Sequence, residues 1–515
     1  MTVAIPKIMS HIWIGPRPAP LEWMQSWRDK HPDWEYRLYD NDFLMRFPFR
    51  TRRLINEYFW RGEYAGVQDL MRYEILYAFG GFMADADAIC LHPVDELMTR
   101  KGVYAVYDRA GEEGRGVSPF LASDAGNPLL KETIDILASL DPWELRKPFH
   151  STGNLFLMRL IQKWGADKLT IFPSHYFVPW HHSDPENRYD GPDKIYAEQK
   201  WATATFSYNT RDVAGEDRVL SRDAMRDRST ALRKRLLQIV QPDLGGVPLA
   251  PVAPDPAKKQ ADRAANRWNE IQQHPDWEGG LRDLNNTVLG SLDAGGLPAI
   301  INGGGFYRLR QAQRVSDSDF MSSTRRLRKR ITAYLAAARA PLQIGVDAGH
   351  MLYAQLMASP EAEAVAFDTC TRILPRSAPV EVYTPAAMAW LTKSFAGRVT
   401  FLHGRPGHVL NAYRRRHPDH RFDLLHFNGI DDNFLKAYGA AIEMLGDGGL
   451  ILLQDMAHDR VLDRLFELQM IGEVATPIEL HDFGPRRGAL AVLRRRPAGD
   501  RARSFHINNS HNGFE

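Results

Sequence analysis

At 515 residues the chain exceeds what one hydrophobic core usually holds, so two or more domains are expected. A composition of 44% hydrophobic and 25% charged residues excludes global disorder. A formal net charge of +2 provides no strong field, so no nucleic-acid partner is expected.

Residues 1 to about 225 alternate short apolar runs with helical stretches, the pattern of an α/β sheet. The most informative stretch runs from Asp69 to Pro93. A helix-like segment ends at Gly80-Gly81, and a short apolar strand then delivers Asp85 and Asp87. Alternate residues of a strand face one side, so both carboxylates are expected to reach one site. Two buried carboxylates are costly unless a positive group lies between them. A divalent metal, Mn²⁺ or Mg²⁺, carrying a diphosphate meets that need. Asp69 and Arg72, three apart on one helical face, can meet the same ligand. An Asp-x-Asp triplet alone usually marks a polar loop. Asp40-Asn41-Asp42 and Asp317-Ser318-Asp319 read that way, as solvated turns.

This context resembles the DxD glycosyltransferases of the family 32 type, which are also similar to the glucosylating domains of clostridial toxins. Gln68, Asp69, Arg72, Tyr73, Leu76, Tyr77, Gly80, Gly81, Asp85, Asp87 and Pro93 stand in the family's register. Gln68 replaces a usual Ser, and Met83 a usual Tyr. Ile5 to Ile8 with His11 to Gly15 resemble the family's opening strand, and Tyr36 to Asp40 its second. Thr152-Gly153-Asn154 resembles an acceptor-side segment, and Trp201 ends a motif whose usual His is replaced by Gln199-Lys200.

The resemblance covers about the first 210 residues. It implies a GT-A fold and a sugar moved from a nucleotide-diphosphate sugar to a glycan or lipid-linked hydroxyl acceptor. It further implies retention, giving an α-linkage, and no residue stands out as a nucleophile. Asp87 and Asp85 would hold the metal, and Asp69 and Arg72 the donor sugar. Trp13 would stack on the nucleobase unless it is strand core, and Tyr73 would stand at the donor. Gln199 would supply an oxygen and Lys200 a charge. His181 and His182 read as surface or packing residues, because neighbours i and i+1 point apart.

Residues 226–338 read as a linker and helical region, a spacer or an oligomerisation element. Leu244-Gly245-Gly246 with the Pro-rich 247–256 is the linker proper, and Gly303-Gly304-Gly305 is a plain turn. The basic runs Arg325–Arg330 and Arg494–Arg496 read as solvated faces, with peripheral contact to an acidic membrane the alternative.

A second α/β unit is expected over 339–498, followed by a polar tail over 499–515. Strand-like Leu342–Ile344 leads into a turn with Gly345 and Gly349. Asp368 ends the next strand about twenty residues on, the place of a ribose-binding acid. The order of strands resembles class I S-adenosylmethionine-dependent methyltransferases, a Rossmann-like fold. That resemblance implies a cofactor site at Gly345, Gly349, Asp368 and Asn428, and methylation of the same glycan. Gln343, Arg405 and Asn428 depart from the family's usual residues. A retired methyltransferase kept as a scaffold or binding domain is the alternative, since fold does not imply activity.

Cys90 and Cys370, the two cysteines, have no metal-ligand spacing and read as buried thiols of a reducing compartment. Pro6 and His11 break any signal-peptide core, and no apolar run reaches the ~18 residues of a membrane helix. A cytoplasmic bacterial enzyme of polysaccharide biosynthesis is therefore expected. Two competing classes are also compatible with the sequence. One is a non-catalytic polysaccharide-assembly protein. The other is metal-dependent nucleotidyl or phosphoryl transfer, which needs a phosphate-binding Lys or Gly-rich loop beside the Asp pair.

Overall fold

The computed structural model describes residues 3–109, 116–117, 121–202, 221–240, 255–299, 301–302, 308–309, 325–371, 378–430, 433–455, 458–474, 477–483 and 488–498. The expected turns at 244–246, 303–305 and 317–319, and the tail after 498, lie outside the described residues. Two compact units divide the chain: 1–247 with 502–515, and 248–501. Each is α/β.

The first unit is built on a six-stranded sheet. Its strands are β1 (Ile8–Ile12), β2 (Glu35–Tyr39), β3 (Gly81–Met83), β5 (Val103–Val106), β6 (Leu121–Ser123) and β7 (Thr170–Phe172). The order is β2-β1-β3-β6-β5-β7. β1 is parallel to β2 and β3, and β6 runs antiparallel to both β3 and β5. A separate antiparallel pair joins β4 (Ala88–Cys90) to β8 (Ala197–Gln199). Burial explains why the sheet holds: Trp27, Trp34, Phe82, Tyr104 and Phe177 fill one core with Met9 and Tyr196. Trp27 lies on helix Leu21–Lys30 and donates its indole N–H to the Ala88 carbonyl at 3.0 Å. One buried ring thereby ties that helix to the strand that follows the Asp pair.

Helix Tyr64–Phe79 carries the D-x-x-R spacing and stops at Gly80, whose φ of +68° favours glycine. A Cβ there would also lie 2.8 Å from the Ala125 nitrogen. Glu74, on the helix face opposite Arg72, accepts from the Arg50 and Thr51 backbone N–H groups at 2.7 and 2.9 Å. Asp40 is not in a plain solvated turn. Its side chain caps helix Asn41–Arg46 by accepting from Asp42 and Phe43 N–H, and Asn41 braces Gly15.

The second unit contains a seven-stranded sheet. An antiparallel pair, β9 (Ile301–Asn302) and β10 (Arg308–Leu309), precedes it. The seven strands are β11 (Pro341–Ile344), β12 (Ala364–Asp368), β13 (Val399–His403), β14 (Phe422–Asn428), β15 (Leu445–Asp455), β16 (Glu479–Asp482) and β17 (Ala489–Arg494). Their order is β13-β12-β11-β14-β15-β17-β16, parallel except for β17, which runs antiparallel to β15 and β16. The order reverses between β11 and β14, the switch point of a doubly wound sheet.

This core begins before residue 339. Helices Arg267–Gln272, Pro275–Ala294 and Arg325–Leu335 bury Trp268, Trp277, Leu281, Leu284, Leu327 and Ile331 in the cluster that also holds Leu352 and Tyr383. Of the 226–338 region read as linker and spacer, the three helices just named are therefore part of the unit's core, because two Trp and a stripe of Leu need cover. Neither basic run is a simple solvated face. Arg328 lies 5.5 Å over the Trp268 ring, and Arg330 forks onto Glu479 at 2.8 and 2.6 Å. Arg495 donates to Glu443 at 2.9 Å. Among the described residues no helix is long and apolar enough to cross a membrane.

Candidate active site

Asp85 and Asp87 do not lie on a strand. They occupy the turn between β3 and β4, which the Ala88 N–H closes onto the Asp85 carbonyl at 3.2 Å. The carboxylates still converge. The Gln199 carboxamide nitrogen donates to Asp85 Oδ2 and Asp87 Oδ1, each at 2.8 Å. The remaining Asp87 oxygen accepts from the Ala202 backbone N–H at 2.7 Å. Its own carbonyl accepts from Lys200 N–H at 2.7 Å. Trp201 makes this return possible, since its φ of +56° is left-handed and turns the chain back onto Asp87. Asp87 is 5% exposed. Burial and the neighbouring Asp85 raise its pKa well above the ordinary carboxylate range.

Asp69 and Arg72 project from helix Tyr64–Phe79 into the same neighbourhood. Asp69 Oδ2 accepts from the Thr152 hydroxyl at 3.0 Å. Burial pushes the Asp69 carboxyl up to about 6. Asp85 adds to this, while Arg72 and Thr152 oppose it. Asp69 is thus within electrostatic reach of both Arg72 and Asp85. Arg72 is 4% exposed, and its Nε has no hydrogen-bond partner among the described residues. A buried cation with an idle donor near the Asp69 carboxylate is suited to a phosphate or a sugar hydroxyl.

Five residues singled out in the sequence have partners of their own. The buried Tyr73 hydroxyl donates to the Thr152 carbonyl at 2.6 Å, which braces the 148–153 segment and does not reach toward a donor. Lys200 pairs with Glu198 at 2.9 Å and not with the Asp pair. The rings of His181 and His182 do not point apart: their centroids are 4.3 Å apart, and each lies within 5 Å of the Trp201 ring centroid. Trp13 follows β1, and its indole N–H donates to the Arg17 carbonyl at 2.8 Å with the ring half-buried.

Three contributions were missed in the sequence: Thr152 holding Asp69, Gly153 making room for it, and Ala202 N–H on Asp87. The Thr-Gly pair ahead of a helix was a usable signal for the first two. A backbone donor set by a left-handed Trp leaves no signal in the sequence.

Among the described residues no three His, Cys, Asp or Glu side chains cluster as a metal site. Two converging carboxylates, with the unpartnered Gln199 Oε1 beside them, fit a divalent cation that completes its shell from a diphosphate.

Residues 21–104, which include Asp69, Arg72, Asp85 and Asp87, match the family described as the glycosyltransferase sugar-binding region containing DXD motif. Over these residues the first unit is similar to DXD-type glycosyltransferases. The chain is also similar to inositol phosphoceramide mannosyltransferase 3 of Schizosaccharomyces pombe (strain 972). The two are 28% identical over 176 residues, which cover 32% of this chain and 46% of that protein. The chain spans about half the length, or less, of the curated relatives it matches. Both relatives are fungal, so the expected bacterial source finds no support in them.

Two solved structures share a weaker likeness. PaToxG glycosyltransferase has a TM-score of 0.28 and 14% identity, covering 45% of this chain and 87% of its own. The O-methyltransferase TomG from Streptomyces achromogenes, solved with SAM, has a TM-score of 0.28 and 16% identity, covering 41% and 88%. Neither overlay bears on function.

The residues expected to cradle S-adenosylmethionine in the second unit serve its own backbone instead. Asp368 Oδ2 accepts from Val346 and Asp347 N–H at 2.7 and 3.3 Å, and Oδ1 from Cys370 N–H at 2.7 Å. A Cβ on Gly349 would lie 2.9 Å from Leu391 Cδ1, so this glycine makes room for helix Val380–Ser394 and not for a cofactor. A Cβ on Gly345 would lie 2.4 Å from the Asn428 carbonyl oxygen. The Asn428 amide itself donates to the Gly345 carbonyl at 3.1 Å. Arg405 is exposed at the start of helix Pro406–Arg416. These residues do not make up the expected cradle, and no step is assigned to that cofactor.

Proposed function

We propose that the first unit transfers a sugar from a nucleotide-diphosphate sugar to a hydroxyl acceptor, with retention and with a divalent cation. One observation carries the reading: Asp85 and Asp87 converge on a single Gln199 nitrogen, each at 2.8 Å, while the Nε of buried Arg72, near Asp69, has no partner among the described residues. Asp85 and Asp87 would hold the cation, Mn²⁺ or Mg²⁺. When bound, the cation neutralises charge growing on the departing diphosphate as a Lewis acid. The Arg72 fork donates to the diphosphate or to donor-sugar hydroxyls. Asp69, oriented by Thr152, accepts from a sugar hydroxyl. Interactions that strengthen as the diphosphate leaves accelerate the chemical step, because they favour the transition state over the bound donor.

The mannosyltransferase relative supports sugar transfer as the reaction class. Its printed name also favours a lipid-linked acceptor over a free glycan. A cytoplasmic location and a part in polysaccharide assembly go with this reading. The second unit acts as a scaffold or binding unit. The test is a screen of UDP-, GDP- and other activated sugars for Mn²⁺-dependent hydrolysis. Turnover that persists in excess EDTA, or no turnover with any donor, would overturn the reading.

A further inference from the structure

Gln199 ends β8, and the register of β8 on β4 sets it opposite Ala88, the residue after Asp87. Its side chain is 4% exposed. The carboxamide nitrogen lies between the two carboxylates at 2.8 Å from each, where a cation bound to both would lie. Among the described residues the buried carboxamide oxygen has no partner. A buried acceptor left unpaired is unfavourable. The arrangement is intelligible if that oxygen has a use in another state.

We propose that Gln199 serves the cation position in both its states. In the cation-free protein its Nε2 holds the acid pair together. With a cation bound, the carboxamide turns over and supplies Oε1 as a third protein ligand. The two ends of a carboxamide are nearly the same size and differ in that one donates and the other accepts. The last torsion of a Gln side chain is broad, so half a turn about it exchanges them. The backbone need not move. Lys200 N–H and Ala202 N–H, on either side of Trp201, both bind Asp87, which clamps the strand end in place. Turning the amide brings three oxygens together, from Asp85, Asp87 and Gln199, and divalent cations of this kind take oxygen ligands. No third acidic, His or Cys side chain stands with the pair among the described residues.

Two consequences follow. Without a cation the Gln199 amide N–H groups hold the acid pair, so the protein is expected to fold without metal. Cation binding must also displace two hydrogen bonds to carboxylates, so free cation binds less tightly than it would with a carboxylate at position 199.

This inference rests on the cation-using reading of the first unit, and the experiment separates the two. Mn²⁺ binding to the full chain is measured by electron paramagnetic resonance, alone and with UDP or GDP. It is measured in wild type, Gln199→Leu, Gln199→Glu and Asp87→Asn, and thermal denaturation without metal is recorded for each. Gln199→Leu is expected to weaken Mn²⁺ binding roughly 10–100-fold, the scale for losing a group that supports a metal site. It is also expected to lower the metal-free melting temperature. Gln199→Glu is expected to bind Mn²⁺ more tightly than wild type while melting lower without it. Mn²⁺ binding undiminished in Gln199→Leu but lost in Asp87→Asn would overturn the proposal and leave the transferase reading standing. If Gln199→Leu does not fold, weaker binding in Gln199→Glu than in wild type overturns it equally. A wild-type protein that binds no Mn²⁺ even with UDP or GDP overturns the reading and the proposal together.

Discussion

Gly153 lets the Asp69 carboxylate lie against the chain: a Cβ on Gly153 would lie 2.9 Å from Asp69 Oδ2. The backbone of Gly153 has φ −95° and ψ −143°, so glycine is needed there for space and not for a left-handed turn. Gly153→Ala is expected to fold, because the closest contact of the methyl is a side-chain oxygen, with the Pro148 carbonyl next at 3.3 Å. It should push Asp69 out of place and reduce transfer between about 10- and 100-fold, the scale of a sub-ångström to ångström misplacement. Steady-state kinetics beside a melting curve checks this. Full activity would mean that the Asp69 position is not critical.

Asp87→Asn tests the cation site. The substitution keeps shape and removes the charge that a cation would need. Transfer should fall by at least ~10²-fold, the usual scale for lost electrostatic stabilisation. The metal-free protein should stay folded but melt somewhat lower: burial and Asp85 already disfavour the charged form of Asp87, while one oxygen that accepts from Gln199 or Ala202 becomes a donor. Asp42→Asn is the control. Asp42 is exposed and pairs with Arg235 at 2.6 Å, so its loss should stay within ~1 kcal/mol and leave activity intact.

Arg72→Lys keeps the charge and removes the fork. The alternative role, pairing with Glu74 along the helix, is excluded by position: Glu74 lies on the opposite face and is bound by Arg50 and Thr51. Mn²⁺ should therefore still bind, while nucleotide-sugar binding and turnover weaken together. Wild-type kinetics in Arg72→Lys would reduce Arg72 to a counter-ion for Asp69.

Much of the first unit could be read because its chemistry lies in one continuous segment, Asp69 to Asp87, with its own glycine break. Convergence of the acid pair was anticipated, but for the wrong local reason: a turn brings the carboxylates together, not strand alternation. The Thr152 and Ala202 contacts join residues 83 and 115 positions apart, a separation that local patterning does not register. The second unit's strands announced themselves as apolar runs. Its early helices did not, since Trp268 and Trp277 stand among charged residues and declare their burial only when the sheet is present.

The Asp69 carboxyl gives a pH signature in the metal-free protein. Its pKa rises from 3.8 to about 6 on folding. Between those values the folded state keeps a proton that the unfolded chain releases, so stability falls as pH rises through the window. Asp69→Asn cannot titrate. The stability of wild type relative to Asp69→Asn should therefore drop by on the order of 2–3 kcal/mol from about pH 4 to about pH 6.5. Chemical denaturation of both proteins across that range measures it. A difference independent of pH would show that Asp69 is ionised throughout, as it would be if Arg72 compensated it fully.

Asp368 is the residue in the second unit where the structure most changes the expectation. A carboxylate at the end of β12 was expected to hold ribose hydroxyls. It accepts instead from three backbone N–H groups, two in the turn after β11 and one at Cys370. Asp347 and Cys370 both adopt left-handed φ, +53° and +47°, in the segments that Asp368 pins. Left-handed backbone is unfavourable for non-glycine residues, so these turns need the carboxylate to hold them. Asp368→Asn exchanges one acceptor oxygen for a donor facing N–H groups. It should therefore destabilise the second unit by roughly 1–3 kcal/mol with no cofactor present. Calorimetric melting of the full chain, with and without S-adenosylmethionine, distinguishes brace from ligand. A lower transition in Asp368→Asn without the cofactor supports the brace. An unchanged transition, with cofactor stabilisation seen only in wild type, would return Asp368 to the ribose.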